Sequence, residues 1–337
     1  MIKKILIVLS FILVCLLFLS GCDKHKTKVG ILVYEKSDTF ISELISYLEL
    51  EMPKDIEYKI VYASNSQSIQ NQQLVSFIKE EMDILLVNAV DRLASTTIVE
   101  KSQQAGIPVI FFNREPLESD LKDYKQIYYV GANANSLGVK QVDMIRELFG
   151  SRYLLNEKYD KNRDGIVQLV ILKGQQGHQD AEKRTTNNIK RLQDIGYNVE
   201  LLSTRVANWQ RSEGYQVMEE LYTEFGDSIE VILSNNDDMA LGAIDYFLEH
   251  NIFTYQDSDT YEQPIVVVGV DGTKAGLEAI NHGLMYGTVL NDSIMQGETI
   301  IALIEYLRNE NNQSDLIEEI NNNHYFYIDG EIIKKNQ

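Results

Sequence analysis

Nine consecutive residues, Asp160-Lys161-Asn162-Arg163-Asp164-Gly165-Ile166-Val167-Gln168, set oxygen donors at the spacing of a calcium loop. Asp160, Asn162 and Asp164 take loop positions one, three and five, and Gly165 allows the sharp turn at six. The Ile166 backbone carbonyl and the Gln168 side-chain amide supply positions seven and nine. Calcium is a hard cation that collects about six to eight oxygens, so these five are not enough. Position twelve, normally a bidentate glutamate, is Ile171, inside the apolar run Val167–Leu172. The loop therefore runs into a buried strand, and the missing carboxylate has to come from elsewhere in the chain. The competing reading is a polar turn whose Asn and Asp side chains cap their own backbone. An Asp-x-Asn-x-Asp-Gly spacing favours the metal.

A second set of reactive types stands just after apolar runs. Asp38 and Phe40 follow Val29–Tyr34, and Asn113 ends Val109–Asn113. His178, Asp180 and Arg184 follow Val167–Leu172. Trp209 follows Val199–Thr204, Asn236 follows Val231–Leu233, Asp271 ends Val266–Asp271, and Asn291 follows Gly287–Leu290. Taken singly, each has an ordinary explanation: an aspartate as a helix N-cap, an asparagine in a turn, an aromatic ring in the core. Together they supply carboxylates, carboxamides, an imidazole, a guanidinium and two aromatic rings. Planar polar groups can serve each hydroxyl of a neutral polyol as donor and acceptor at once, while Phe40 and Trp209 cover its two C–H faces. A dry site of that kind discriminates strongly, because an unmatched hydrogen bond is costly there.

The elements that must position these groups are legible as strand-like runs alternating with amphipathic stretches. Val29–Tyr34, Phe40–Glu51, Ile60–Tyr62, Ile69–Met82, Ile84–Val87, Ala94–Ala105 and Val109–Phe112 form one series. Val167–Leu172, Ala181–Ile195, Val199–Thr204, Trp209–Phe225, Val231–Leu233, Met239–His250 and Ile265–Val270 form another. The expected fold class is α/β, two doubly wound parallel-sheet domains joined by a hinge. In such sheets a ligand lies beyond the carboxyl ends of the strands, where the candidate residues fall.

The N-terminus is a targeting segment. Lys3 and Lys4 precede the apolar stretch Ile5–Leu19, and Leu19-Ser20-Gly21-Cys22 resembles a bacterial lipobox that makes Cys22 the lipidated first residue. The stretch is shorter than the roughly 20 residues of a membrane span. Cys15 leaves with the signal and Cys22 takes the lipid, so no thiol remains for redox or thiolate-metal chemistry. The formal charge of −19 becomes more negative once Lys3 and Lys4 are removed, which argues against nucleic acid and anionic bilayer surfaces as partners.

On these residues the chain resembles the galactose/glucose-binding proteins of bacterial sugar ABC importers, in the type I periplasmic binding protein family. The likeness runs from Val29 to about Asp329 through Phe111-Phe112-Asn113-Arg114-Glu115-Pro116, Tyr128-Tyr129-Val130-Gly131, Leu172-Lys173-Gly174, Asn235-Asn236-Asp237, Gly269-Val270-Asp271 and Gly287–Asp292. It implies that Asp38, Asn113, His178, Asp180, Arg184, Asn236, Asp271 and Asn291 hydrogen-bond the sugar and that Phe40 and Trp209 stack on it. It also implies that Glu230 completes the calcium site. The expected ligand is D-galactose or D-glucose, and the expected partners are ABC permease subunits, or a chemoreceptor or sensor kinase if the role is sensing. The expected location is extracytoplasmic, lipid-anchored to the cell membrane, as a monomer.

The domain expectation is a signal peptide at 1–21, a tether at 22–27, an N-terminal lobe of 28–132 plus 291–337, and a C-terminal lobe of 133–290. Hinge crossings are expected near Gly131–Ala132 and Val289–Asn291. Two departures from the family stand out. The chain stops at Gln337, before a third hinge strand is expected to return to the second lobe. Gln179 replaces a proline, which is expected to loosen His178 and Asp180. No Gly-x-Ser-x-Gly, Walker A or His-Glu-x-x-His pattern supports an enzyme. A signal segment stands where a sugar-responsive repressor would carry its helix-turn-helix.

Overall fold

Apolar runs without polar alternation belong in strands covered on both faces. That is how they fold in the computed structural model, which describes residues 26–123, 125–257, 260–262, 264–308 and 324–335. The first sheet is built from β1 (Thr27–Val33), β2 (Ile56–Tyr62), β3 (Ile84–Val87), β4 (Val109–Phe112) and β5 (Ile127–Ala132). A small ribbon follows, β6 (Gly150–Ser151) with β7 (Leu154–Leu155). The second sheet takes β8 (Val167–Lys173), β9 (Val199–Val206) and β10 (Val231–Ser234). After the hairpin of β11 (Thr254–Asp257) and β12 (Thr260–Glu262) it continues with β13 (Val266–Asp271) and β14 (Gly287–Leu290). The last strands are β15 (Tyr325–Ile328) and β16 (Ile332–Lys334).

The two sheets have matching orders, β15-β5-β4-β3-β1-β2 and β16-β14-β13-β10-β8-β9. Neighbours in both are parallel except for β14 with β16. The order in which successive strands are added reverses between β1 and β3 and between β8 and β10, which opens a crevice at the carboxyl end of each sheet. Within β1, Val29, Ile31 and Val33 enter the core under the helices Thr39–Glu51 and Ser293–Arg308. Leu32 enters the core on the opposite face, under Gln67–Lys79 and Ser95–Ala105. In β8, Val170 and Leu172 face the helices Arg211–Phe225 and Asp237–Glu249. Val167, Leu169 and Ile171 face Ala134–Phe149, a helix the sequence reading does not name. Each such side chain contributes about 1.5–3 kcal/mol on burial.

The lobes are linked three times: between β5 and Ala134–Phe149, between β14 and Ser293–Arg308, and between β15 and β16. The third link corrects two expectations. Residues 332–334 belong to the second lobe, not to the first-lobe segment 291–337, and the chain does return across the hinge before Gln337. Three residues suffice because β16 pairs antiparallel with β14 and the link is tied at each step. Asn133 N donates to Ile328 O at 2.8 Å, Asn133 Nδ2 to Asp329 Oδ1 at 2.9 Å, and Leu290 N to Glu331 O at 2.7 Å. Lys140 Nζ also donates to Gly330 O. At Gly330 a Cβ would stand 2.1 Å from Leu290 O, so only glycine lets these strands approach.

The signal peptide 1–21 and Cys22 lie outside the described residues, and β1 begins at Thr27, the last residue of the expected tether. Among the described residues no helix is long and apolar enough to cross a membrane.

Candidate functional site

All ten sugar-site candidates line one cleft between the lobes, with about 320 Å³ of empty space, and Tyr34 joins them. From the first lobe come Tyr34, Asp38, Phe40 and Asn113. His178, Asp180, Arg184, Trp209, Asn236 and Asp271 come from the second, and Asn291 from the β14 crossing.

Several of these groups are already oriented by the backbone. Asp38 caps the helix Thr39–Glu51, its Oδ1 accepting from Ile41 N at 2.9 Å while Oδ2 accepts from the Tyr34 hydroxyl at 2.5 Å. Burial, with the Asp38 charge beside it, raises the Tyr34 hydroxyl well above its usual range, so it remains a neutral donor. The Arg114 guanidinium lies 3.6 Å from the Tyr34 ring centre and holds it in place. Tyr34 is a contribution that sequence reasoning missed, because an aromatic closing an apolar strand reads as core. Asn113 adopts φ 57°, and its Oδ1 accepts from Asn88 Nδ2 at 3.0 Å, which leaves the NH2 group for a ligand.

His178 caps the helix Gln179–Asp194 through Nδ1, which accepts from Asp180 N at 3.1 Å. Burial, reinforced by Arg114 and Arg184, holds its pKa well below the usual imidazole value. The ring is therefore neutral with its proton on Nε2, a donor. Arg184 is almost fully buried. It donates to Asn235 O at 2.6 Å and to Asp180 Oδ2 at 3.2 Å, lies 3.9 Å from Asp271 Oδ1, and leaves Nε buried without a partner. Burial raises the Asp180 carboxyl and raises Asp271 further, with Arg184 opposing both shifts. Asp271, at φ 120°, accepts from Asn291 Nδ2 at 3.1 Å. Asn236 caps Asp237–Glu249 by accepting from Met239 N at 3.0 Å, and donates to Trp209 O at 3.1 Å. A backbone at positive φ is sparsely populated for these residues, and it occurs at Asn113, Trp209 and Asp271.

The cleft thus presents three carboxylates and neutral amide, imidazole and hydroxyl groups against the single guanidinium of Arg184. That balance suits a ligand rich in hydroxyl donors and opposes an anionic one. Trp209 packs over Gly174, where a Cβ would stand 2.1 Å from the indole, and meets His178 edge-on with ring centres 5.0 Å apart. Gly174→Ala is therefore expected to displace the indole and weaken ligand binding by about tenfold, a shift of about 1.4 kcal/mol. Calorimetry and the emission maximum of the sole tryptophan check this.

The lobes meet through groups outside this set. Thr39 Oγ1 donates to Asp238 Oδ2 at 2.5 Å, Arg114 Nη2 to Gln175 Oε1 at 2.7 Å, and Lys183 Nζ to Glu115 Oε2 at 2.6 Å. Gln179 Nε2 reaches Asn113 O at 3.0 Å and Asp180 Oδ1 at 3.1 Å. The expected loosening by Gln179 is thus overturned: its amide ties the loop across the cleft, which a proline could not do.

At the opposite end of β8 the six metal candidates gather. Glu230 Oε1 accepts from Lys161 N at 2.8 Å and Oε2 from Gln168 N at 3.2 Å. Asp160 accepts from Asp164 N at 3.2 Å and Gly165 N at 3.1 Å, and Asp164 Oδ1 accepts from Ile166 N at 2.8 Å. Asn162 Nδ2 donates to Asp164 Oδ2 at 2.9 Å. Burial pushes Glu230 up to about 7. Among the described residues no three His, Cys, Asp or Glu groups meet closely enough to hold a metal by themselves, so any cation here needs the amide and backbone oxygens too. Gln168 Oε1 fits that need: it is buried and accepts no hydrogen bond.

Residues 29–311 match the family model described as a periplasmic binding protein domain. The chain is 33% identical over 279 residues to the D-galactose/methyl-galactoside binding periplasmic protein MglB of Haemophilus influenzae, covering 82% of this chain and 80% of that protein. It is 28% identical over 244 residues to a putative rhizopine-binding protein of Rhizobium meliloti, covering 72% and 71%. An ABC transporter solute binding protein from Bacillus halodurans, solved with myo-inositol, shares the fold with a TM-score of 0.73 at 24% identity, over 93% of this chain and 96% of that one.

Proposed function

This chain belongs to the periplasmic binding protein family, as a sugar-binding, solute-binding protein of the ABC-transporter type, and we propose that its ligand is D-galactose or D-glucose. One observation carries the reading: ten residues drawn from seven separate segments line a single cleft with the donor and acceptor balance of a neutral hexose site. The name of the Haemophilus relative points to galactose.

The mechanism follows from the buried charges. Closing the empty cleft desolvates Asp180 and Asp271, which favours their neutral forms and opposes closure at neutral pH. Sugar hydroxyls donate to both carboxylates and remove that cost, so the ligand shifts the population to the closed form. The closed state then presents the surface that a permease recognises. The sign of the pH effect is fixed by the raised values. A carboxyl raised in the closed form favours that form below its shifted pKa and loses the preference as pH rises through it. The sugar-free protein is therefore expected to compact as pH falls from neutral towards the ordinary carboxylate range. The radius of gyration from small-angle scattering measures this, and a radius independent of pH counts against the mechanism.

We propose also that Asp160, Asn162, Asp164, Ile166, Gln168 and Glu230 hold a structural Ca2+. The orphaned Gln168 oxygen and the Glu230 carboxylate braced over the loop support this. When bound, the ion neutralises the loop's charges and crosslinks it to the start of β10. Lipidation at Cys22 would tether the protein outside the membrane.

The direct test is a titration of protein beginning after Cys22 with D-galactose, D-glucose and D-ribose, followed by Trp209 fluorescence. A saturable response to a hexose, lost in Asp38→Ala, is the expected result. Silence towards both hexoses in calcium-containing buffer overturns the assignment.

A further inference from the structure

Beside the inner cleft lies a larger space of about 930 Å³ that opens to solvent, against about 320 Å³ for the inner one. Both spaces are lined by Tyr34 and Trp209, so the two abut on these rings. The outer wall is polar and belongs to both lobes: Asn65 from the first, Gln175, Asn208 and Gln210 from the second. Two carboxylates orient these amides. Asn65 Nδ2 donates to Glu35 Oε2 at 3.0 Å, and Asn208 Nδ2 to Glu213 Oε2 at 2.7 Å, which leaves each Oδ1 as an acceptor. Gln175 Oε1 is taken by Arg114, which leaves its NH2 group as a donor. Asn65 and Asn208 sit at φ 58° and 46°, left-handed positions held where the chain turns at the rim.

Four carboxamides, the hydroxyls of Ser37 and Ser212, the Glu213 carboxylate and the aromatic residues Tyr34 and Trp209 make a lining with no lysine or arginine. Such a surface matches the alternating donors and acceptors of a second saccharide unit and gives an anion nothing to pair with. We propose that the outer space is a second saccharide subsite, so that the protein takes a hexose extended by a glycosidic bond, the linkage passing between Tyr34 and Trp209. This rests on the reading of the inner cleft as a hexose site. Closure would then bring Asn65 of one lobe and Gln210 of the other onto the same second ring. Neither residue touches the inner cleft, which makes them the discriminating positions.

The experiment is calorimetric titration of the protein with galactose and glucose, then with lactose, melibiose, cellobiose and maltose. It is repeated on Asn65→Ala/Gln210→Ala. The expected result is that at least one disaccharide binds as tightly as its component hexose or more so. The double variant should weaken that disaccharide about tenfold or more and leave the monosaccharide within about twofold. Binding of hexoses but of no disaccharide overturns the subsite and leaves the inner site standing. Disaccharide binding unchanged in the double variant also overturns it. Silence towards every sugar removes the inner assignment, and the subsite with it.

Discussion

Arg184→Met is expected to lower hexose affinity by two to three orders of magnitude, the largest effect of any single change in the cleft. Methionine keeps the aliphatic stem but ends short of the guanidinium, so the variant loses the charge and its hydrogen bonds together. Arg184 stands between the buried carboxylates of Asp180 and Asp271, bonded to the first and close to the second, and it also satisfies Asn235 O. Removing one partner of a buried charged network costs about 3–5 kcal/mol, because the other members are left uncompensated. Without the guanidinium both carboxyls rise further, and as neutral acids they accept hydroxyl protons poorly. Calorimetry of the variant against galactose and glucose reads the loss directly. Thermal melting at pH 5 and pH 8 separates this from simple unfolding. The variant should be relatively more stable at the lower pH, since its acids are protonated there. Affinity within tenfold of the parent would show that the cleft does not depend on this charge.

The second large effect concerns the opposite end of the same strand. Glu230→Ala, or chelation of calcium from the parent protein, is expected to lower the melting temperature by about 10 °C while hexose affinity stays within about threefold. A ligand present at about a thousand times its dissociation constant stabilises the fold by about 4 kcal/mol. In a lobe of this size that corresponds to a shift of about that magnitude. Sugar binding is spared by distance. The loop enters β8 at Val167, whereas His178 and Asp180 follow its far end after Lys173, roughly 20 Å of extended chain away. A chelator that leaves the melting temperature of the parent unchanged argues against the metal. So does an Ala variant that still responds to calcium as the parent does.

Much of this architecture could be read from the chain because the decisive signals are local. Runs such as Val109–Phe112 and Val231–Leu233 are apolar at every position because both faces of each strand are buried, and the polar residue ending each run marks the carboxyl edge. What was not legible depends on groups far apart in sequence. Thr39 and Asp238 meet across 199 positions, and nothing around either residue announces the other. Gln179 looked like the loss of a rigid proline until its amide was seen to cross the cleft. Strand β16 escaped notice because three residues, one of them a lysine, carry no hydrophobic pattern. Its place comes from pairing with β14. The helix Ala134–Phe149 mixes buried Gln141 and Gly138 into its inner face, which blurs the apolar stripe that would have identified it.

The link between β15 and β16 lies against both of the others, bonded to the first through Asn133 and to the second through Leu290. Two connecting strands alone would let the lobes twist as well as bend. A third, laced to both, stiffens the joint against torsion and leaves bending as its soft mode. Opening is then close to a motion with one degree of freedom. A single distance between one label on each lobe would track the whole transition, and every ligand that closes the cleft would return that distance to the same value.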